Sequence, residues 1–270
     1  MTRLPILTFH SVDGSGSVIS MPAPDVARIL RQLADAGWRG CSVSEALAAR
    51  RLGPGGDRVF GLSFDDGYRN VRGVALPVLR ELGFTATVFV IAGRAGGDNR
   101  WPGQPSSVPV MPLLDWPDMA SLVEAGWEVG AHGLDHLPLT AIGSGPATRE
   151  LEGGKQLIED TLGVPVPLFA YPYGAFDRAI LERTRAAYQG ACSAKLALAS
   201  DADVRDGFAV PRLDAYYLRS VSPRIVCETL LGRGYVALRR WARLLRRPPW
   251  DRNALRDYTG GNGRRAEGRR

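Results

Sequence analysis

Short aliphatic and β-branched runs alternate with amphipathic stretches along most of the chain. LPILTF is followed by PDVARILRQLADAG, VFGLSF by VRGVALPVLRELG, and ATVFVIA by a Gly- and Pro-rich loop near residues 93–112. The alternation resumes with MASLVEAG, WEVGAH, ATRELEGGKQLIEDTLG, VPLFAYP, FDRAILERTRAAY, QGACSA and a run near GFAVPRLDA. Strand-like and helix-like segments in strict alternation imply right-handed βαβ crossovers and a parallel sheet, hence an α/β fold. Six or seven such units in about 220 residues, with no evident linker, predict one closed or nearly closed barrel of TIM type. An open doubly wound sheet is the second arrangement compatible with the pattern. It lacks support, because no G-x-G-x-x-G follows the first strand and no Walker A motif occurs.

Composition narrows the class. With 45% hydrophobic and 23% charged residues, the chain can build a sizeable core. No stretch approaches the roughly 20 apolar residues of a membrane span. The start, MTRLPILTFHSVDG, has too short an apolar segment and no small-residue cleavage site for a secretory signal, so the expected location is cytoplasmic. Cys41, Cys192 and Cys227 are odd in number and lack metal-type spacing, which predicts buried thiols rather than a disulfide framework or a zinc finger. The net charge of +6 is uneven: residues 239–270 hold eleven Arg against Asp251, Asp257 and Glu267, so this end carries +8 and the rest −2. Arg supplies almost all the positive charge, a bias that genome composition explains as readily as phosphate binding, and nucleic acid is not an expected partner.

In a parallel barrel the loops after the strand C-termini form the active site. His10 follows LPILTF, Asp65 and Asp66 follow VFGLSF, His132 and His136 follow WEVGA, and Tyr171 to Gly174 follow PLFA. All three histidines of the chain are in this set. Taken alone, Phe-Asp-Asp-Gly after an apolar run is a turn, and a lone histidine is a satisfied core or surface residue. Their shared location argues for chemistry instead. The His-x-x-x-His spacing of GAHGLDHLPL puts both imidazoles on one face if the segment makes a helical turn. Two His and one carboxylate form a three-ligand site with open positions, suited to Zn²⁺ or another divalent transition metal. Such an ion lowers the pKa of bound water and polarises a carbonyl oxygen, and the second carboxylate can then act as general base.

SFDDG at 63–67, GAHGLDH at 130–136 and FAYPYG at 169–174 together resemble the T-F-D-D-G, H-[ST]-x-x-H and R-x-P-Y-G motifs of the polysaccharide deacetylases of carbohydrate esterase family 4, also called the NodB-homology domain. The resemblance implies a distorted (β/α) barrel of about seven parallel strands. It implies an enzyme that hydrolyses an N-acetyl or other small N-acyl group from an amino sugar or glycan. Asp65 is then the general base, while Asp66, His132 and His136 hold a divalent metal, Zn foremost, with Co, Ni, Mn or Fe as alternatives. Tyr173 would offer its backbone N–H to the oxyanion. There are three departures: Gly133 replaces the usual Ser/Thr, Ala170 stands where many members carry the Arg that orients the base, and no histidine follows position 136 to match the late Leu-x-His motif. In the branch that acts on biofilm exopolysaccharide the motifs are circularly permuted and an N-terminal Y-H segment brings the acid from the first strand. LTFH at 7–10 resembles that segment and makes His10 the candidate acid. Trp101, Trp116 and Tyr171 are candidates for stacking on sugar rings, with core cover as their competing role.

After the barrel, assigned to residues 1–220, YVALRRWARLLRRPPW at 235–250 is amphipathic. Ala237, Leu238, Trp241, Leu244 and Leu245 form one helical stripe, and Arg239, Arg240, Arg243, Arg246 and Arg247 crowd the other side. Residues 221–247 are assigned to a basic amphipathic helix and 248–270 to an Arg/Gly-rich tail expected to be disordered. The stripe either closes the barrel's bottom or side, or lies in the headgroup region of an anionic membrane, where a lipid-linked substrate would suit it. Two other functions use the same side chains. Two His and one carboxylate also describe non-haem Fe(II) oxygenases, and a glycan-binding relative without turnover fits the missing Arg and late His. The motifs leave the acceptor open among polymer, oligosaccharide, nucleotide-linked, lipid-linked and small glycosides.

Overall fold

The computed structural model describes residues 3–53 and 58–245. Its strands are β1 (Ile6–Phe9), β2 (Arg39–Cys41), β3 (Val59–Phe64), β4 (Thr87–Val90), β5 (Glu128–Ala131), β6 (Leu168–Ala170), β7 (Gly190–Leu196) and β8 (Val210–Asp214). They pair in the order β1-β8-β7-β6-β5-β4-β3, and β3 returns to β1 with Ile6 opposite Gly61 and Phe9 opposite Phe64. The result is a closed barrel of seven parallel strands, which sets aside the open sheet. β2 pairs with the start of β3, and its Gly40 carbonyl accepts from the Thr85 N–H (3.3 Å), so it wedges against the barrel just below β4.

The helices are α1 (Ala23–Asp35), α2 (Val43–Leu52), α3 (Leu76–Glu81), α4 (Trp116–Glu124), α5 (Ser144–Thr148), α6 (Gly154–Leu162), α7 (Arg178–Ala187), α8 (Asp201–Asp206), α9 (Pro223–Glu228) and α10 (Leu230–Leu245). α1 shows how the sequence builds one. Pro24 in its first turn tolerates the missing N–H, and Val26, Ile29, Leu30 and Leu33 recur every three or four residues to bury one face. A π-helical turn, Arg149–Gly153, joins α5 to α6 and so inserts an extra residue into what would otherwise be one helix.

Two apolar layers alternate along the strands. Ile6, Phe89, Leu168, Cys192 and Val210 fill the barrel interior, whereas Leu7, Phe64, Val88, Phe169, Ala191 and Leu213 face the surrounding helices. Both faces are covered, which is why the strands read as unbroken apolar runs. Period two carries the interior set onward to Thr8, His10, Asp65, His132 and Arg212, which stand at the strand C-termini and line one cavity.

The end of the chain differs from the single helix expected over 221–247. Thr229 leaves the helical region (φ −115°, ψ 158°) and separates α9 from α10. Gly232 packs α10 down onto α9: a Cβ there would lie 2.1 Å from the Ile225 carbonyl oxygen, so the approach requires glycine. α10 packs on α9 and β7, and Arg240, Trp241 and Arg243 reach the rim of the cavity, so the helix lies at the mouth of the barrel, not at its bottom. The assigned tail, 248–270, lies outside the described residues.

Cys41, Cys192 and Cys227 are all free and buried. Burial pushes each thiol up to about 12, which leaves roughly one thiolate in ten thousand at pH 8. A thiol-disulfide reagent at pH 8 is therefore expected to leave the native protein unlabelled and to titrate three thiols after denaturation. Labelling of the native state would show that one of the sites opens.

Candidate active site

The cavity at the C-terminal mouth has a volume of about 980 Å³. The paired carboxylates after β3 diverge within it. Asp65 continues the strand alternation into the interior. Asp66 would by the same alternation point outward, but its φ of 67° turns the chain and brings its carboxylate back into the cavity. His136 (φ 61°) and Tyr173 (φ 58°) are the other non-glycine residues in the left-handed region among those described. Each costs on the order of 1–3 kcal/mol, and such strain persists only where the surroundings over-determine it. All three are at this site.

Asp66 Oδ1 lies 3.3 Å from His132 Nε2 and 3.5 Å from His136 Nε2, and one ligand atom from each of the three side chains falls within 4.8 Å of the others. Donors about 2.0–2.2 Å from a tetrahedral zinc ion stand roughly 3.3–3.6 Å apart, so both Asp66–imidazole distances fit. The chemistry fits as well. His132 Nδ1–H donates to the Ala170 carbonyl (2.7 Å), which fixes the tautomer and leaves the Nε2 lone pair facing a carboxylate. That convergence of negative density is stable with a cation at its centre. His136 pairs its Nδ1 with the Tyr173 hydroxyl (3.2 Å) and rests against the Trp101 ring, with centroids 4.8 Å apart. Burial pushes the His136 imidazole down to about 3, so it is a neutral ligand at physiological pH. Burial alone would raise Asp66, and a proton on the facing His132, or the cation that takes its place, outweighs it and holds the carboxyl well below the usual range.

The His132–His136 segment is not the helical turn its spacing suggested. It is a loop, and a residue outside the motifs shapes it. Glu150, buried in the π-helical turn before α6, accepts from the N–H groups of Leu134 (3.1 Å), Asp135 (3.1 Å) and Leu137 (3.3 Å). Gly133 makes room for it. With φ 88°, a Cβ at Gly133 would stand 2.6 Å from Glu150 Oε2. The departure from Ser/Thr at this position therefore has a partner in the fold.

The second departure has one too. Arg212 on β8 grips Asp65 with both ends of its guanidinium, Nη1 to Oδ1 at 2.6 Å and Nη2 to Oδ2 at 2.7 Å. Two further donors go to the Ser193 carbonyl and the Ser63 hydroxyl, both at 3.2 Å. Burial alone would raise the Asp65 carboxyl, and the Arg212 charge more than offsets this, holding it below its ordinary value. The Arg absent at 170 is thus supplied from another strand. The one sequence signal for it was a charged residue inside the apolar run AVPRLDA.

His10 is half-buried after β1 and lines the same cavity as Asp65, Asp66, His132 and His136. The candidate sugar platforms fare differently. Trp101 lines the cavity, but it is buried and its ring covers His136. Tyr171 is buried in the wall, with its ring stacked on Phe176 (4.5 Å) and its hydroxyl donating to the Phe208 carbonyl (3.0 Å), so no open face remains for a sugar. Trp116 opens α4 and packs against the core away from the cavity, which removes it from the site. The exposed aromatic at the rim is Trp241.

The fold and these side chains define a class: a parallel (β/α) barrel with an Asp-His-His candidate metal site and a separate, Arg-paired carboxylate at its C-terminal mouth. A family model described as polysaccharide deacetylase matches residues 53–189, and the chain belongs to that family. YxkH of Bacillus subtilis (strain 168), which carries a polysaccharide-deacetylase name, is 25% identical over 181 residues, covering 67% of this chain and 60% of YxkH. Chitin deacetylase 1 of Cryptococcus neoformans var. grubii is 29% identical over 120 residues, or 44% of this chain and 22% of that protein. The chain thus spans less than two thirds of the length of these curated relatives. Among solved structures, Streptococcus pyogenes deacetylase PplD in complex with acetate has the same fold, with a TM-score of 0.68 at 21% identity over 86% of this chain and 98% of PplD. IcaB from Ammonifex degensii follows, with a TM-score of 0.65 at 25% identity over 83% and 94%.

Proposed function

We propose that the protein is a divalent-metal-dependent N-deacetylase acting on an N-acetyl, or other small N-acyl, amino sugar within a glycan or sugar conjugate. The observation that carries this reading is the division between adjacent carboxylates: Asp66 faces two imidazoles, whereas Asp65 is gripped by Arg212 and stays out of the ligand group. A divalent ion held by Asp66, His132 and His136, with zinc favoured by two imidazoles and one carboxylate, supplies a Lewis acid that lowers the pKa of water and polarises the acyl oxygen. Asp65, ionised beside Arg212, still has a free lone pair on each oxygen after the bidentate contact and takes a proton from the attacking water. The Tyr173 N–H receives the developing oxyanion, its turn fixed by the Tyr173 hydroxyl against His136. His10 donates a proton to the leaving nitrogen as the C–N bond breaks, and the products are a carboxylate and a free amino sugar.

The donor set alone is shared with iron oxygenases, but a carboxylate with its own Arg partner has no part in that chemistry. The zinc-loaded protein, given chitooligosaccharides and an N-acetylglucosamine conjugate, is expected to release acetate and expose primary amines. Oxygen uptake without acetate would sustain the oxygenase reading instead, and glycan binding without either would sustain a non-catalytic relative.

A further inference from the structure

α10 is oriented against the rule that governs amphipathic helices. Its packed side is formed by Gly232 and Val236, with Tyr235 and Arg243 half-buried beside them, and the Tyr235 hydroxyl donates to the Tyr217 carbonyl (2.9 Å). Its apolar stripe faces the other way: Leu230, Leu231, Leu238 and Trp241 are 78%, 83%, 68% and 64% exposed. At 3.6 residues per turn these four side chains fall within about 100° of arc, opposite Gly232 and Val236. Of the ten exposed large hydrophobics among the described residues, four lie on this one stripe of α10. A soluble helix places such a stripe on its own core. Here Arg240 and Arg243 face the active-site cavity and the leucines face outward.

We infer that this face of α10 docks on an anionic lipid surface, with the cavity rim at Trp241 beside the headgroups. Charge selects this occupant over a second copy of the chain. Residues 239–270 carry a net +8, and an isologous dimer through this face would bring two such ends together. An anionic bilayer neutralises them instead. Leu and Trp suit the acyl boundary, and flanking Arg suits the headgroups. Because Trp241 belongs to both the docking face and the cavity rim, the protein on that surface meets N-acyl sugars presented by lipid. This last step rests on the deacetylase reading; the docking itself does not.

The test is co-sedimentation of the full-length protein with phosphatidylglycerol/phosphatidylcholine vesicles and with phosphatidylcholine alone. The protein is expected to pellet with the anionic vesicles at low salt and to stay in solution with the neutral ones. Binding should fall roughly tenfold or more at about 0.5 M salt and in L231E/L238E, with zinc content unchanged in that variant. R246Q/R247Q should weaken binding and flatten its salt dependence. Zinc content and sedimentation are read without turnover, so a failure to release acetate would sink the deacetylase reading and leave the docking standing. Equal binding to both vesicle types, wild-type binding by L231E/L238E, or protein left in the supernatant overturns the docking. Dimerisation seen by light scattering and abolished in L231E/L238E assigns the face to a second copy and overturns it as well.

Discussion

Asp65→Asn is expected to keep a stoichiometric divalent ion and to lose about 10²–10⁴ in turnover, the usual contribution of a general base. The amide retains the shape of the side chain and can still meet Arg212, but it cannot take a proton. His132→Ala and His136→Ala should instead lose the ion, because each removes one of the three candidate donors found among the described residues. Metal analysis and acetate release on the same preparations separate the two kinds of defect. An Asp65→Asn variant that binds metal and turns over within tenfold of the parent would assign the base elsewhere. An Asp65→Asn variant without metal would make Asp65 a ligand.

Arg212→Met is expected to produce the larger stability effect, about 3–5 kcal/mol, since it leaves a buried carboxylate without its partner. Arg212 and Asp65 are each about 4–5% exposed, so water does little to screen the loss. Replacing both members removes the stranded charge, and the Asp65→Asn/Arg212→Met pair should recover most of the deficit. Denaturant unfolding of the four proteins gives the coupling directly. Additive losses would show that Arg212 stabilises the barrel through Ser63 and Ser193 rather than through Asp65.

The barrel was legible because both faces of each strand are covered, and apolar runs such as VFGLSF report that burial directly. β2 escaped notice for the opposite reason: it is three residues long, and Arg39 at its start is exposed. α8 is six residues of mostly charged sequence, DADVRD, held by a Ser200–Asp203 capping box and a buried Val204, with no apolar period to read. At the site, the side chains contiguous with a motif were found and those that act across the barrel were not. Arg212 reaches Asp65 from 147 positions away, and no spacing rule connects them. Glu150 lay in view within ATRELEGGKQ, but a π-helical turn aims it, and nothing in the helical pattern announces that turn. The stripe of α10 was correctly seen as amphipathic. Its direction was left open between the barrel and a membrane, because periodicity says which residues share a face and not what that face meets.

The contact between Gly133 and Glu150 makes the two positions interdependent in any change of sequence. A serine at 133, ordinary for the family, would bring its Cβ to 2.6 Å from the Glu150 carboxylate and would have to accept a positive φ. Shortening Glu150 alone strands three half-buried N–H groups in the loop that carries His136. The first step requires the Glu150 carboxylate to move and the second removes the acceptor that holds the loop, so a change at either position is felt at the other. The chain occupies a local optimum of its own, in which the identity of one motif residue is enforced from outside the motif. Engineering that restores the family motif one residue at a time would meet this epistatic barrier first.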